Sequence, residues 1–404
     1  MPRISPFHGL VFDTAIAGPL DQVTAPPYDV ISDRRRLDHL RTSPYSVVHL
    51  DLAEGVDDPS AGPHSRYARA AHLLDDWRLR GILTLSPEPC YYAYEMTFAI
   101  DGRDHAIRGL LCAMDLEPWN GSVVPHERVM DGPVQDRLQL LRATHTHMSP
   151  VYGTITGPCQ PLSTLLQTVS SAPATSTTQD DQGVIHRMWP IAADAAIATW
   201  VAGDSLLIAD GHHRYTTALH YRDERRRGEG PGPWDRVLTL VVDAAAERLP
   251  VLPFHRVQVA GSMPDITGDQ VGDLAEALAN CSDHDVVAAT VRRKPDGSIR
   301  FDTLPLPGRA PAVQSLHADI LDGRIPDVAL RFVSDPEEAV EAVRSGEAVG
   351  AYLLPPTTPD RIRTVIDRGE RLPQKSTYFW PKPRTGMVMM PLDVPADRSV
   401  VPAS

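Results

Sequence analysis

One stretch carries the strongest structural signal in the chain, and it runs Leu206-Leu207-Ile208-Ala209-Asp210-Gly211-His212-His213-Arg214-Tyr215. Its first four residues are apolar and predict a buried strand. Asp210-Gly211 predicts a tight turn, and the residues after it predict the start of a helix. Such a turn offers the first helical N–H groups to an anion, and Arg214 adds a planar, two-pronged donor. The alternative is a surface turn whose histidines cap neighbouring carbonyl groups.

The composition is that of a globular protein with two or three domains. The chain has 404 residues, of which 42% are hydrophobic and 23% are charged, and its net charge is −13. Because no long Lys/Arg-rich block interrupts this negative charge, we expect no nucleic-acid partner. The four cysteines form no C-x-x-C pair. They therefore predict neither a zinc site nor a disulfide framework, and we assign no metal ligands.

The cellular location is expected to be cytoplasmic. The first residues are not followed by the sustained apolar segment of a signal peptide. No apolar run approaches the ~20 residues that a membrane-spanning helix needs, so no membrane partner is expected. The expected partner is a small-molecule substrate, and the sequence is compatible with an oligomer.

Strand and helix signals alternate along the chain, a pattern that fits an α+β or an α/β arrangement; of these we expect the α+β class, with mixed sheets and flanking helices. Helices are predicted at 64–80 and 358–368, and strands at 91–100, 108–116, 237–242, 329–333 and 348–354, with a hairpin turn at Asp101-Gly102. Prolines predict an extended segment at 23–30, whereas 162–183 begins as a helix and ends as a loop.

A change of composition near residue 260 divides the chain in two. Region 1–260 is predicted to be the catalytic α+β region, with the motifs PPYDV, HE and DGHHRY. Region 261–404 is predicted to be a smaller α/β region that carries the motif PQKSTYF.

Two segments of the N-terminal region offer a carboxylate that could act as a base. Asp29 follows two prolines, so its side chain is held with little conformational freedom; alternatively, it caps the turn at 31–32. Glu127 lies beside His126, and a carboxylate next to an imidazole is a plausible general base. The alternative for this pair is an exposed, salt-bridged loop.

Cationic segments further along the chain could contact an anionic substrate. Lys375, Ser376 and Thr377 could hold a phosphate through the ammonium, the hydroxyls and the backbone N–H groups, although no glycine-rich P-loop precedes them. The alternative is an edge strand with solvated lysines. The candidate substrate contacts are Tyr28, Arg137, His255 and Arg256, and for His255 a structural role is the alternative.

Several short motifs together resemble a large bacterial family, the domain of unknown function ten-fifteen. They are Pro6-Phe7, PPYDV at 26–30, SPYS at 43–46, HE at 126–127 with DR at 136–137, SP at 149–150, ADGHHRY at 209–215 and PQKSTYF at 373–379. The resemblance extends over nearly the whole chain. It implies no particular reaction.

A more remote resemblance implies a chemistry. The DGHHR element at 210–214 resembles that of the ParB/sulfiredoxin superfamily, in which it binds phosphate and in which some members are free-serine kinases. The resemblance implies a ParB/sulfiredoxin-like core and a nucleotide-phosphate site at Asp210, Gly211, His212, His213 and Arg214. Sulfiredoxin chemistry needs a cysteine in the motif, and ParB proteins carry a helix-turn-helix module and a basic surface. The sequence has none of these features.

Together these observations predict a nucleotide-dependent phosphotransferase that acts on the hydroxyl of a small metabolite, with free L-serine as the leading acceptor. The cofactors would be ATP or ADP with Mg²⁺, and Glu127 or Asp29 would be the base, with His126 beside Glu127. The first alternative is a non-catalytic regulatory protein that binds a nucleotide or a phosphorylated metabolite. The second is a ParB-like nucleic-acid-binding protein or nuclease, which the net charge disfavours.

Overall fold

The computed structural model describes residues 2–100, 102–155, 157–202, 205–264, 268–308, 311–326 and 329–394. The chain forms two compact units. The first comprises Met1–Val124, Val129–Leu249 and Pro381–Ser404, and the second comprises Pro125–Arg128 and Pro250–Trp380. These bounds differ from the division at residue 260: the HE motif belongs to the second unit, and the last segment of the chain belongs to the first. That regions 1–260 and 261–404 are separate domains stays a prediction.

A mixed sheet forms the centre of the first unit. The strands of this unit are β1 Ile4–Ser5, β2 Leu10–Phe12, β3 Leu83–Leu85, β4 Cys90–Ile100, β5 Arg103–Asp115, β6 Val123–Val124, β7 Thr146–His147, β8 Val151–Ile155, β9 Ser176–Gln179, β10 Ile185–Ala192, β11 Leu206–Asp210, β12 Arg236–Asp243 and β21 Met390–Pro391. Nine strands within the described ranges form one sheet, in the order β6-β11-β8-β12-β5-β4-β10-β9, with β1 on β5. Because β12 pairs parallel with β8 and antiparallel with β5, the sheet is mixed, as predicted.

Helices flank this sheet and close its core. They are α1 Thr14–Ala17, α2 Leu20–Val23, α3 Asp33–Thr42, α4 Val48–Asp51, α5 Arg66–Leu79, α6 Asp131–Thr144, α7 Gln160–Ser170, α8 Ala195–Trp200 and α9 His212–Glu229. The buried face of α9 places Tyr215 and Ala218 in one apolar cluster with Leu206 and Ile208 of β11. Burial of this apolar surface fixes the α9 start against the sheet. The α+β class is confirmed.

The second unit has its own sheet and core. Its strands are β13 Val251–Pro253, β14 His255–Gln258, β15 Gln270–Val271, β16 Val287–Arg293, β17 Ile299–Pro305, β18 Leu330–Val333, β19 Gly350–Leu353 and β20 Thr377–Phe379, and its helices are α10 Leu274–Asn280, α11 Ala312–Leu316, α12 Pro336–Ser345 and α13 Pro359–Asp367. Six strands of its described part pair in the order β15-β17-β16-β19-β14-β18. Every pair in this sheet is antiparallel, whereas the α/β label implies parallel strands.

Strongly patterned segments match their predictions, and weakly patterned ones differ. The predicted helix at 64–80 is α5, and the predicted hairpin is β4 with β5, although Asp101 of its turn lies outside the described residues. The extended prediction is wrong at Tyr28–Val30, which forms a 3-10 turn. The loop prediction is wrong at Ser176–Gln179, because pairing with β10 turns this polar segment into a strand. Among the described residues, no helix combines the length and the apolar character that crossing a membrane requires.

Candidate functional site

The DGHHRY stretch forms the predicted strand, glycine turn and helix. The strand β11 ends at Asp210, Gly211 adopts a left-handed conformation with a φ of 94°, and α9 begins at His212. Gly211 is needed because side-chain-bearing residues rarely adopt this conformation. The turn therefore fixes the position of the first residues of α9, which carry the polar side chains of the motif.

Replacing Gly211 by alanine is expected to destabilise the first unit by about 1–2 kcal/mol, because a residue with a Cβ is strained at this φ. The added Cβ would also lie 3.2 Å from the Arg214 guanidinium. Urea unfolding measures the effect. The matched control is Gly228→Ala in the same helix, where an added Cβ meets nothing within 4 Å and where alanine should raise stability by up to about 1 kcal/mol. Equal effects of the two substitutions would contradict the role of the turn.

The Arg214 side chain folds back onto the turn that precedes it. Its guanidinium donates to the carboxylate of Asp210 and to the carbonyl oxygen of Pro150, and its Nη1 lies 3.2 Å from Ser149 Oγ. Arg214 therefore braces the turn internally. Its predicted contact with a nucleotide phosphate stays a prediction.

A lysine from the last segment of the first unit completes this arrangement. Lys382 Nζ lies 2.5 Å from Asp210 Oδ1 and 3.0 Å from Asp29 Oδ2, and its side chain is only 4% exposed. One buried ammonium thus joins two carboxylates that are 181 positions apart in the sequence. We call the group formed by Asp29, Asp210, Arg214 and Lys382 the carboxylate–lysine corner. The ion pairs are shielded from water and are therefore stronger than surface pairs.

The two histidines of the motif contact neighbours within the first unit. His212 is buried, and its ring stacks on Trp119 with 6.3 Å between centroids and 21° between planes. The Nε2 of His213 accepts a hydrogen bond of 3.0 Å from the backbone N–H of Met130, so the ring proton is on Nδ1. His213 thus accepts a hydrogen bond from a backbone N–H through Nε2. The alternative to phosphate binding predicted instead that the histidines donate to carbonyl groups.

A small cavity of the first unit includes Arg214 in its wall. Its volume is about 50 Å³, and its other polar lining residues are Tyr28, Asp51, Arg137, Thr146, His147, Ser149 and Thr217. This volume gives room for a few water molecules or one small polar group. The cavity brings together Tyr28 and Arg137, two of the candidate substrate contacts.

Arg137 organises one wall of this cavity. Its Nη1 lies 2.8 Å from Asp51 Oδ1, its Nη2 lies 2.5 Å from Asp136 Oδ2, and its guanidinium stacks over the Tyr28 ring at 4.3 Å. Burial raises the pKa of the Tyr28 hydroxyl, so Tyr28 stays a neutral donor at physiological pH. Asp51 and His147 belong to this cavity without having been singled out from the sequence.

The imidazole of His147 makes the first unit sensitive to acid. Burial lowers the pKa of His147 to about 4 from an ordinary value near 6.5. The neutral ring is thus favoured in the folded state, and its stability contribution is intact above pH 6.5 and decreases as the pH falls towards 4. Between pH 7 and pH 4.5 this loss should reach about 2–3 kcal/mol. Urea unfolding at pH 7 and pH 4.5 measures this loss. The variant His147→Gln should show a smaller pH dependence of the free energy of unfolding, whereas His64→Asn, at an exposed position, should keep the wild-type dependence. The same slope in all three proteins would contradict the assignment.

In the second unit, several hydrogen-bond donors converge on the carboxylate of Glu127. Its Oε1 accepts from the backbone N–H groups of Ser376 at 3.0 Å and Thr377 at 2.7 Å and from Thr377 Oγ1 at 2.6 Å, and its Oε2 accepts from the Lys375 N–H at 3.1 Å. Lys375 has a φ of 51°, a conformation that helps three successive N–H groups converge on one carboxylate. We call residues 375–377 the 375–377 turn. Its backbone donors, predicted to hold a phosphate, are directed to a side chain of the protein itself.

The neighbours of Glu127 are also interior residues. His126 is fully buried, and its Nε2 lies 2.6 Å from Thr377 Oγ1, so the alternative of an exposed loop at 126–127 is wrong. Arg256 is buried and donates to the carbonyl oxygens of Phe254, Gln374 and Lys375. Burial lowers the pKa of Arg256 to about 9, which still leaves it charged at neutral pH.

His255 has the contacts of a structural residue. Its Nδ1 accepts a hydrogen bond of 3.1 Å from the Leu354 N–H, and burial lowers its pKa to about 4. The predicted substrate role of His255 and Arg256 stays a prediction, and their observed partners are backbone groups and neighbouring side chains.

For the segment that carries Lys375, the alternative was an edge strand with solvated lysines. This alternative is wrong for Lys382, which is buried in the carboxylate–lysine corner.

A family model described as "Protein of unknown function (DUF1015)" matches residues 4–298 of the chain. The chain belongs to this family. The match agrees with the family resemblance carried by the motifs. Because the DUF1015 family is described as having unknown function, membership assigns no reaction to this protein. No curated protein matches the chain.

Solved structures resemble this DUF1015 protein only distantly. A free serine kinase in complex with AMP shares 15% identity, with 66% of this chain and 89% of that chain covered and a TM-score of 0.36. A conserved hypothetical protein from Pyrococcus furiosus shares 15% identity over 65% of this chain and 90% of that chain, with a TM-score of 0.35. SbnI from Staphylococcus aureus shares 11% identity over 70% of this chain and 87% of that chain, with a TM-score of 0.34.

Proposed function

We propose that this protein transfers a phosphoryl group from ATP or ADP to the hydroxyl of a small metabolite, with free L-serine as the first acceptor to test. The observation that carries the proposal is the carboxylate–lysine corner. One buried ammonium joins Asp29, a candidate base, to Asp210, which immediately precedes the glycine turn into α9. Phosphoryl transfer needs a base at the acceptor hydroxyl close to donors for the phosphate oxygens, and a helix N-terminus offers such donors.

Phosphoryl transfer requires little covalent chemistry from the protein. It requires in-line positioning, positive charge or N–H groups near the non-bridging oxygens, and a base at the attacking hydroxyl. The start of α9 supplies a helix dipole whose positive end favours phosphate oxygens. His212, His213 and Arg214 lie in the first turn of this helix and are the residues we assign to the nucleotide phosphates.

We assign the base to Asp29. In the transfer, the acceptor oxygen bonds to phosphorus, the bond from phosphorus to the nucleotide oxygen breaks, and Asp29 takes the hydroxyl proton. Glu127 is the weaker candidate, because its two carboxylate oxygens already accept four hydrogen bonds from the 375–377 turn.

Magnesium fits this corner only in company with the nucleotide. Among the described residues, no group of three or more His, Cys, Asp or Glu side chains could hold a metal ion. Lys382 lies between the two carboxylates of the corner, so Asp29 or Asp210 could contribute one ligand to an ion held mainly by phosphate oxygens. The ion would neutralise phosphate charge.

The test is transfer of label from nucleotide to acceptor by the purified full chain. ATP or ADP labelled in its terminal phosphate is incubated with Mg²⁺ and, separately, with L-serine, L-threonine, L-homoserine or glycerol. We expect a labelled phosphomonoester with at least one acceptor and none without acceptor. Labelled inorganic phosphate alone would show hydrolysis, and absence of product from every acceptor with both nucleotides would refute the proposal.

A second candidate is a non-catalytic sensor of a nucleotide or phosphorylated metabolite. It is favoured by the internal bracing of Arg214, whose guanidinium already contacts Asp210, Ser149 and Pro150. This candidate predicts that ADP or AMP raises the melting temperature in a concentration-dependent manner without turnover of any acceptor. The labelling experiment therefore separates the two candidates.

A further inference from the structure

Two buried polar atoms in the cavity of the first unit lack a hydrogen-bond partner in the described part of the chain. They are Asp51 Oδ2 and His147 Nε2. Both residues line the cavity, and they are only 6% and 8% exposed. Leaving such groups unsatisfied is unfavourable, because each has lost its hydrogen bonds to water without gaining a partner in the protein. A molecule bound in the cavity would remove this cost.

Both atoms are hydrogen-bond acceptors. A carboxylate oxygen can only accept, and the other oxygen of Asp51 already accepts from Arg137 Nη1 at 2.8 Å. The His147 ring hydrogen-bonds the backbone of Arg236, an interaction that favours a protonated nitrogen on that side of the ring. Because a neutral imidazole carries one proton, Nε2 is left with its lone pair. The missing partner must therefore be a donor.

The arginines of the cavity do not make it an anion site. Arg137 is paired with Asp51 and Asp136, and Arg214 is paired with Asp210. Each guanidinium thus has a carboxylate partner within the first unit. Burial raises the pKa of Asp51 while Arg137 opposes the shift, and a second positive group beside Oδ2 would oppose it further.

We propose that the cavity lined by Tyr28, Asp51, Arg137 and His147 binds the primary ammonium group of a small metabolite. An ammonium offers three donors, of which one would satisfy Asp51 Oδ2 and another His147 Nε2. The volume of about 50 Å³ admits a group of this size. The proposal goes beyond phosphate transfer and does not depend on it, since the site needs no nucleotide.

The experiment compares methylammonium with methanol, which have nearly the same size but differ in charge and number of donors. Full-length protein with ¹⁵N-labelled histidine is titrated with each compound in the absence of nucleotide. We expect methylammonium to saturate a shift of the His147 Nε2 resonance at millimolar concentration. We expect methanol to bind at least tenfold more weakly. Equal shifts with both compounds would show that the site does not select an ammonium and would overturn the proposal. No shift with either compound would mean that the cavity holds water only, which overturns it as well.

Variants locate the binding. Asp51→Asn replaces an acceptor by an amide that can retain the contact with Arg137, and it should weaken methylammonium binding at least tenfold. Asp58→Asn, an exposed aspartate in the same part of the chain, should leave it unchanged. If Asp51→Asn fails to fold, the wild-type His147 titration alone decides the proposal. Absence of phosphate transfer would not affect any of these results.

Discussion

Replacing Glu127 by glutamine should lower the free energy of opening of the 375–377 turn by about 3 kcal/mol. The carboxylate accepts from three backbone N–H groups and one hydroxyl, and hydrogen bonds to a charged acceptor each contribute about 1.5–3 kcal/mol. An amide must direct its own N–H₂ group at one of these donors, so at least one buried N–H loses its acceptor. Hydrogen exchange measures the effect: amide protection of Ser376 and Thr377 should fall on the order of a hundredfold.

Two further variants show whether the loss belongs to this site. Thr377→Val removes only the hydroxyl donor and should cost about 1 kcal/mol. Glu338→Gln lies on the exposed face of α12 and should leave the protection of the turn unchanged. Wild-type protection in Glu127→Gln would mean that the convergent N–H groups do not depend on the negative charge.

Replacing Asp29 by asparagine should reduce phosphate transfer by about 10²–10⁴-fold, the usual contribution of a positioned general base. Asparagine has nearly the same shape and can still contact Lys382, but it cannot take the hydroxyl proton. We therefore expect the turnover number to fall while the affinity for ADP changes by less than threefold. Steady-state labelling at saturating acceptor and calorimetry with ADP measure the two quantities.

The matched control is Asp33→Asn, an exposed aspartate at the first position of α3. It should retain wild-type transfer, because no charge of the corner is altered. If Asp29→Asn transfers phosphate at the wild-type rate, Asp29 is not the base, even if the reaction itself is real. If ADP affinity falls together with turnover, Asp29 acts mainly in binding.

The predictable part of the fold is the part whose signal is local. The helix α5 has an apolar stripe and ends next to Gly81, and the turn at Gly211 lies between an apolar run and a helix, so both follow from nearby residues. The hairpin of β16 and β17 lies in a region that looks polar and turn-rich in sequence. Its pairing with β19 supplies the order that its composition does not indicate. Tertiary pairing thus overrides weak local preference.

The candidate site likewise contains residues that local motifs indicate and residues that only the folded structure reveals. Asp29, Asp210 and Arg214 belong to motifs with a clear turn chemistry, and the structure brings them together in one unit. Lys382 and His147 escaped prediction, because a single lysine or histidine in an ordinary context has no spacing that marks it. Their importance comes from burial beside particular partners, which depends on the whole fold. Glu127 was found by its sequence neighbour His126, but its real partners are about 250 positions away.

The position of Lys382 has a consequence for how the protein is made. The chain leaves the first unit after Leu249 and returns to it only at Pro381, so the cation that neutralises Asp29 and Asp210 is synthesised more than 130 residues after the rest of the unit. Until that segment emerges from the ribosome, Asp29 lacks the ammonium of the corner, and Asp210 has Arg214 as its cation. The nascent first unit would thus mature late, and a fragment ending at residue 298, where the family match stops, would keep it in that immature state.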